Sequence, residues 1–160
     1  MADLPLSLSR KVVATAEIAS YPWPRPLVFT NGVFDVLHRG HVEYLAAARV
    51  MGAALLVAVN SDTSARQLGK GPERPLNGER DRLIVVAALE SVSFVTLFFE
   101  KTPCELLARC RPDIYVKGGD YDMGLLEETR LMRSWGGRSL AIAFVEGYST
   151  SALVRRIRGK

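Results

Sequence analysis

The sequence predicts an α/β fold in which helices cover both faces of a doubly wound, five-stranded parallel sheet. Short apolar segments alternate with segments of helical periodicity from residue 27 onward, which is the pattern of a parallel sheet with crossover helices. The apolar segments are rich in Val, Ile, Leu and Phe, as expected for strands buried on both faces. The chain has 160 residues, of which 48% are hydrophobic and 24% charged, values that favour one globular domain.

Residues 1–26 show the weakest pattern of the chain. Residues 11–19 are compatible with a helix, and Pro22, Pro24 and Pro26 restrict the segment that follows to a loop. We therefore expect an N-terminal helix and a proline-rich loop in residues 1–26, followed by the α/β domain in residues 27–160.

Five strands and five further helices are predicted after this segment. The strands are predicted at residues 27–30, 54–59, 94–98, 113–117 and 139–145. The helices are predicted at residues 40–51, 79–91, 103–110, 125–135 and 150–157. Polar segments follow four of the five strands. Because ligands of open parallel sheets bind beyond the carboxyl ends of the strands, a binding site is expected at that edge.

Composition and charge exclude several classes of protein. The longest apolar runs, residues 53–59 and 83–89, are far shorter than the about 20 residues of a membrane-spanning helix. No secretory signal pattern is present at the N-terminus, so we expect a cytoplasmic protein without membrane insertion. The net charge of +4 is matched by four cationic residues in the last six positions. The remainder is neutral overall, which argues against a nucleic-acid partner.

Two histidines form the most informative pattern. His38 and His41 enclose Arg39 and Gly40 where the loop after the first strand turns into a helix. Residues three apart in a helix face the same way, and the first N–H groups of a helix attract anions. Gly40 has no Cβ that would hold a phosphate away from the backbone. The pattern predicts a phosphate site with two imidazole donors; ordinary surface or capping histidines are the alternative.

Residues 30–41, TNGVFDVLHRGH, resemble the first motif of the cytidylyltransferase-like nucleotidylyltransferases, a family that carries an HxGH sequence. The resemblance continues in residues 57–62, Arg74-Pro75, Arg82, residues 116–121 and residues 147–151. It implies a Rossmann-like fold. It also implies transfer of a nucleoside monophosphate from a nucleoside triphosphate to a phosphate monoester, with release of pyrophosphate.

Within the family, the chain most resembles enzymes that transfer AMP from ATP to D-glycero-β-D-manno-heptose 1-phosphate for lipopolysaccharide core synthesis. It is too short to include the sugar kinase domain that often precedes this domain, so it resembles the stand-alone form. The resemblance implies Mg²⁺ bound with ATP, because no carboxylate cluster marks a separate metal site. ATP and a sugar 1-phosphate are thus the expected partners, and a homodimer is compatible with the sequence.

Two other functions stay open. One is a cytidylyltransferase acting on a small phosphate monoester such as glycerol 3-phosphate, although the segment from Gly118 to Tyr121 differs from the Gly-Asp-Asp-Trp of those enzymes. The other is a non-catalytic nucleotide sensor. Release of pyrophosphate separates the sensor from both enzymes.

The resemblance implies roles for individual residues. The implied catalytic residues are His38, His41, Lys70 and Arg82. The implied ATP-binding residues are Thr30, Asn31, Gly32, Phe34, Gly40, Lys117, Gly118, Gly119, Asp120, Gly147, Ser149, Thr150 and Ser151. No metal ligand is implied. Ordinary structural roles remain the alternatives: a turn for the first loop, a solvated side chain for Lys70, and a hydroxyl cap for the last helix.

Overall fold

The computed structural model describes residues 4–69, 71–119, 121–143 and 147–159. The strands are β1 (Leu27–Gly32), β2 (Ala54–Asn60), β3 (Phe94–Phe98), β4 (Ile114–Gly118) and β5 (Arg138–Ile142). They form one sheet in the order β3-β2-β1-β4-β5, and every pairing is parallel. The chain thus runs outward from the central strand β1 to β3, then returns to place β4 and β5 on the other side.

Helices connect these strands. They are α1 (Leu6–Ser9), α2 (Arg39–Arg49), α3 (Asp62–Arg66), α4 (Glu79–Ala87), α5 (Cys104–Cys110), α6 (Glu127–Arg133) and α7 (Thr150–Ile157). Short 3₁₀ turns lie at Thr15–Glu17 and Met123–Leu125. Within the described residues, no helix is long and apolar enough to cross a membrane.

Both faces of the sheet are covered by a hydrophobic core. On one face, side chains of α2 and α4 such as Leu45 and Val86 pack against β1 and β2. On the other face, side chains of α5 and α6 such as Leu107 and Met132 pack against the same strands. β2 is buried at all seven positions. The two cores confirm the predicted doubly wound α/β fold, and they leave the carboxyl edge of the sheet for polar residues.

The predicted helix at residues 11–19 is wrong. The backbone of Val12 and Val13 instead runs parallel to β3: Val13 N–H donates to the Val95 carbonyl at 2.9 Å, and Val12 pairs with Val95. Lys11 donates through Nζ to the carbonyls of Ala87 and Leu89 at the end of α4. The segment therefore covers the outer edge of β3, and β-branched valines suit that extended backbone.

Several element bounds differ from the predicted ones. The helix predicted at residues 79–91 ends at Ala87, and the one predicted at 125–135 is divided between a 3₁₀ turn and α6. β5 ends at Ile142, and residues 144–146 lie outside the described residues. Helix α3 was not predicted; it is only five residues long and is capped by Ser61, whose hydroxyl accepts from Ser64 N–H at 3.1 Å.

Candidate active site

A cavity of about 310 Å³ opens at the carboxyl edge of the sheet, where β1 and β4 lie side by side. It collects residues from the ends of these strands and from the N-terminal parts of α2 and α7. The lining residues are Asn31, Gly32, Val33, Phe34, Asp35, His38, His41, Tyr44, Ala65, Arg74, Pro75, Lys117, Gly118, Tyr121, Tyr148, Ser149, Thr150 and Ser151. Ten of them belong to the residues predicted from sequence, so the structure brings most of the predicted site together.

The two histidines form a stack at the start of α2. Their ring centroids are 3.8 Å apart and the rings are 21° from parallel. The His41 ring also makes an edge-type contact with the Phe34 ring, and the two ring centroids are 5.4 Å apart. His38 occupies the N-cap position of α2 without a side-chain hydrogen bond to the helix, and its buried Nδ1 has no hydrogen-bond partner among the described residues. Burial lowers the pKa of His38, so this imidazole is neutral at pH 7 in the free protein.

Gly40 allows α2 to approach the segment that precedes α7. A Cβ at this position would lie 3.1 Å from His38 Nδ1 and 3.1 Å from Tyr148 Cβ, closer than most side chains tolerate. The Tyr148 ring stacks on His38 with centroids 6.3 Å apart, and the Arg39 guanidinium lies 5.8 Å from the Tyr148 ring centroid. Tyr148 was not predicted from sequence, and it closes one side of the cavity.

The first loop combines a close contact with an unusual backbone conformation. Phe34 has a φ of 49°, in the left-handed region. Its ring folds back over Gly32, where a Cβ would lie 3.0 Å from Phe34 Cε2. Next to it, the Asn31 carboxamide accepts a hydrogen bond through Oδ1 from the Tyr115 hydroxyl at 3.0 Å. That bond orients the Asn31 side chain at the cavity wall.

Thr30 lies beneath the cavity rather than in its wall. Its side chain is fully buried, and its hydroxyl bonds to the Tyr44 hydroxyl at 2.5 Å. Tyr44 in turn donates to the carbonyl of Val116 at 3.0 Å. Burial raises the pKa of Tyr44, so the phenol keeps its proton. This chain of bonds joins β1, α2 and β4, and the lining residue Tyr44 was missed by sequence reasoning.

Lys117 provides the positive charge at the end of β4. Its Nζ lies 3.5 Å from the buried carboxylate of Glu128 on α6 and 4.9 Å from the Tyr121 ring centroid. Gly118 lines the cavity, and Gly119 follows with a φ of 122°. Asp120, predicted to contact ATP, lies outside the described residues.

The N-terminus of α7 faces the same cavity. The Ser149 hydroxyl caps the helix by accepting from Ala152 N–H at 3.1 Å. Thr150 donates through its hydroxyl to the Val36 carbonyl at 3.4 Å, and Ser151 also lines the cavity. Gly147 precedes them with a φ of 82°. The contact between Thr150 and Val36 ties this helix to the loop after β1.

Arg82 is placed behind the first loop and does not line the cavity. It is 1% exposed, and each guanidinium nitrogen has a partner. Nη1 donates to the Val33 carbonyl at 2.6 Å, Nε to the Asn77 carbonyl at 2.9 Å and Nη2 to Asp62 Oδ1 at 2.8 Å. Its role near the phosphates stays a prediction. Lys70, the other predicted catalytic cation, lies outside the described residues.

No built metal site is apparent in the part of the chain that the structure describes, because no group of three His, Cys, Asp or Glu side chains there could hold an ion. Asp35 is the carboxylate in the cavity wall. Its Oδ1 accepts from Leu76 N–H at 2.7 Å and Asn77 N–H at 3.0 Å, and its Oδ2 pairs with Arg74. Oδ1 is therefore occupied by backbone amides, whereas Oδ2 has Arg74 as an ion-pair partner and no hydrogen bond among the described residues.

The parallel sheet, the HxGH stack and the two helix N-termini around one cavity define a nucleotidyl-transferring class of α/β protein. The chain belongs to the cytidylyltransferase-like family, whose model matches residues 29–156. It is 58% identical over 151 residues to the D-beta-D-heptose 1-phosphate adenylyltransferase of Bordetella bronchiseptica, with 94% of this chain and 93% of that protein covered.

Other relatives are longer or more distant. The bifunctional protein HldE of Pelobacter propionicus is 44% identical over 149 residues, and this chain spans 30% of its length. The crystal structure of a lipopolysaccharide core biosynthesis protein from Thermoplasma volcanium has a TM-score of 0.63 at 29% identity, covering 77% of this chain and 98% of that one. A pantothenate synthetase from Thermus thermophilus shares the fold. Its TM-score is 0.55 at 18% identity, and the match covers 84% of this chain and 62% of that one.

Proposed function

We propose that this chain is an adenylyltransferase that moves AMP from ATP to D-glycero-β-D-manno-heptose 1-phosphate. The products are ADP-heptose, for lipopolysaccharide core synthesis, and pyrophosphate. The family and the identity to the Bordetella enzyme support the reaction class and the sugar. The similarity to the lipopolysaccharide core biosynthesis protein of Thermoplasma volcanium supports the same pathway.

One observation carries the proposal at the level of geometry. The stacked imidazoles of His38 and His41, 3.8 Å between centroids, stand at the N-terminus of α2 and share a cavity with the N-terminus of α7. Helix N-termini and imidazole donors both favour bound phosphate. A cavity that gathers all of them is suited to a triphosphate and to the charge that develops on it during transfer.

The reaction needs no covalent enzyme intermediate. An oxygen of the sugar phosphate attacks the α-phosphorus of ATP, and the bond from that phosphorus to the oxygen bridging to the β-phosphate breaks. Pyrophosphate leaves with the electron pair of that bond. Such a step depends on positioning and on donors aimed at the developing charge. In our proposal His38 and His41 donate to the α-phosphoryl group, and Lys117 and the α7 hydroxyls hold the remainder of the nucleotide.

Magnesium enters this proposal as part of the substrate. Asp35 has Arg74 and two backbone amides as neighbours, and the described residues contain no group of three His, Cys, Asp or Glu side chains that could hold a resident ion. Mg²⁺ bound to the triphosphate oxygens would supply charge neutralisation. A cytoplasmic location is also proposed, since ATP is the donor and Cys104 and Cys110 are free thiols. A homodimer stays a prediction, which a measurement of the molar mass by light scattering can test.

A substrate panel tests the function. Purified protein is incubated with each of ATP, CTP, GTP and UTP and with heptose 1-phosphate, glucose 1-phosphate or glycerol 3-phosphate, and pyrophosphate is measured. A site that hydrogen-bonds one base leaves polar groups unpaired against another. We therefore expect ATP with heptose 1-phosphate to give the highest kcat/KM, at least about tenfold above CTP. Equal or preferred use of CTP would favour the cytidylyltransferase. ATP binding without product in any pairing would favour the nucleotide sensor.

A further inference from the structure

Arg74 occupies an unassigned position in the cavity wall. It lies in the segment between α3 and α4, next to Pro75. Its side chain is 16% exposed, and its Nε is 2.7 Å from Asp35 Oδ2. An arginine held this deeply beside a cavity is costly to bury unless its charge has a use or a full set of partners.

Asp35 holds Arg74 in a defined orientation. The Asp35 side chain is 1% exposed, and its Oδ1 accepts from the backbone N–H groups of Leu76 and Asn77. The Asn77 side chain donates back to the Asp35 carbonyl at 2.5 Å. The carboxylate is therefore held through Oδ1, while Oδ2 forms an ion pair with Arg74 in which Nε is the nearest nitrogen and no hydrogen bond to Oδ2 is made among the described residues.

This leaves the two terminal nitrogens of Arg74 for another acceptor. Across residues 4–69, 71–119, 121–143 and 147–159, Asp35 is the only partner recorded for the Arg74 guanidinium. Arg25 and Arg82 behave differently, because both of their terminal nitrogens donate to protein oxygens. With Nε nearest to Asp35, the guanidinium has Nη1 and Nη2 as a planar pair of donors, the geometry that matches two oxygens of a phosphate.

We propose that Arg74 binds a substrate phosphate through Nη1 and Nη2, with Asp35 as its positioning residue. The phosphate belongs either to the triphosphate of ATP or to the sugar 1-phosphate, an assignment that rests on the proposed function. The positive charge of the Arg74 guanidinium adds to that of Lys117 at the end of β4, and both residues line the same cavity. Arg74 then adds a cation from the segment before α4 to the donors supplied by α2 and α7.

The test measures binding and turnover separately in Arg74→Gln and Arg74→Lys. Calorimetry gives Kd for ATP and for inorganic pyrophosphate, and steady-state assays give KM for ATP and for heptose 1-phosphate. We expect one Kd or KM to rise about 10- to 100-fold in Arg74→Gln, as for loss of a charge-assisted pair. Arg74→Lys should restore only a small part of the lost affinity, because an ammonium group cannot both pair with Asp35 and bind a phosphate through two hydrogen bonds. A rise for ATP and pyrophosphate assigns the triphosphate; a rise for heptose 1-phosphate alone assigns the acceptor.

Arg25→Gln is the matched control. Arg25 also pairs with an aspartate, Asp113, at 3.1 Å, but at the opposite edge of the sheet, and its replacement changes the net charge equally. We expect it to leave every Kd and KM within about twofold. If Arg25→Gln and Arg74→Gln weaken substrate binding equally, the effect is one of net charge and the proposal is overturned. The proposal is also overturned if Arg74→Gln folds and all its Kd and KM values match those of the wild type. If Arg74→Gln does not fold, Arg74→Lys decides by the same criterion. Wild-type protein that binds ATP but forms no nucleotide sugar refutes the proposed reaction, and the ATP and pyrophosphate binding arms then still decide on Arg74.

Discussion

The two helices that point their N-termini at the cavity are held in different ways. α2 has His38 at its N-cap, and that side chain makes no hydrogen bond to the helix. α7 is capped by the Ser149 hydroxyl. α2 buries four of its residues, whereas α7 buries none among those described. Packing therefore stabilises α2 strongly enough to tolerate a missing cap, which ordinarily contributes about 1 kcal/mol.

This difference assigns different tasks to the two termini. The His38 imidazole makes no hydrogen bond to α2, whereas the Ser149 hydroxyl caps α7 and so contributes to the stability of that helix. We therefore expect substitution of the α2 histidines to affect turnover, and substitution of the Ser149 cap of α7 to affect folding stability more than turnover.

The largest effect is expected for His41→Ala. The imidazole is proposed to donate to the α-phosphoryl group as charge develops, and loss of one such donor typically lowers turnover about 100-fold or more. The far-ultraviolet circular dichroism spectrum should stay that of the wild type. A change confined to KM, with kcat preserved, would remove His41 from the transition state and weaken the contrast between the helices.

His38→Ser sharpens the contrast, because it gives α2 the cap it lacks while removing the imidazole. We expect kcat to fall at least about tenfold. Meanwhile the free energy of unfolding, measured in urea, should be unchanged or higher by up to about 1 kcal/mol. A clear loss of stability would show that the His38 stack with His41 and Tyr148 holds the fold and is not reserved for a ligand.

Ser149→Ala is the reciprocal change on α7. Removing the cap should lower the free energy of unfolding by about 1 kcal/mol, because α7 has little buried surface to compensate. The Ser149 oxygen already accepts from Ala152 N–H, so kcat should fall only a few-fold. Thr150→Ala serves as a comparison within the same helix end. A loss of kcat for Ser149→Ala as large as that for His41→Ala would break the division of tasks.

The smallest effect concerns protonation of His38. Burial lowers its pKa below the ordinary histidine value of 6.5, so the folded state binds fewer protons than the unfolded state as the pH falls. The contribution of His38 to stability is therefore present above pH 6.5 and decreases below it. Histidine resonances followed by nuclear magnetic resonance should show a pKa below 6.5 without ATP and a higher one with ATP. A free-protein pKa above 6.5 would contradict this account.

The sheet could be predicted because buried parallel strands carry a strong local pattern. β2 has seven consecutive buried residues, and a run of that kind is visible without tertiary information. The Val12–Val13 segment was misassigned because its conformation is decided by the partner Val95, which lies 82 residues after Val13 in the chain. Pairing with an edge strand depends on the assembled sheet and cannot be inferred from the secondary-structure propensity of the local sequence.

The histidine pair was predictable for a similar reason: the spacing from His38 to His41 and the adjacent Gly40 form a local pattern. Tyr44, Arg74 and Tyr148 were not identified as site residues, since each reaches the cavity through packing of distant segments. A signal did exist for Tyr148, which lies in the resembling residues 147–151, and also for Arg74, because Arg74-Pro75 belongs to the family resemblance. The significance of Arg74 depends on Asp35, thirty-nine positions earlier, and only the structure shows that pairing.

The pairing of β1 with β4 has a consequence for how the chain acquires its ligand during synthesis. Val28 pairs with Ile114, so the cavity wall closes only after most of the chain has been made, and α7 follows still later. Contacts so distant in sequence form slowly. A ligand that binds only the completed cavity stabilises the folded state by mass action, by about 2.7 kcal/mol when its concentration is one hundred times Kd. Cellular ATP would then stabilise the folded state against unfolding, but only after the last helix has packed against the remainder of the protein.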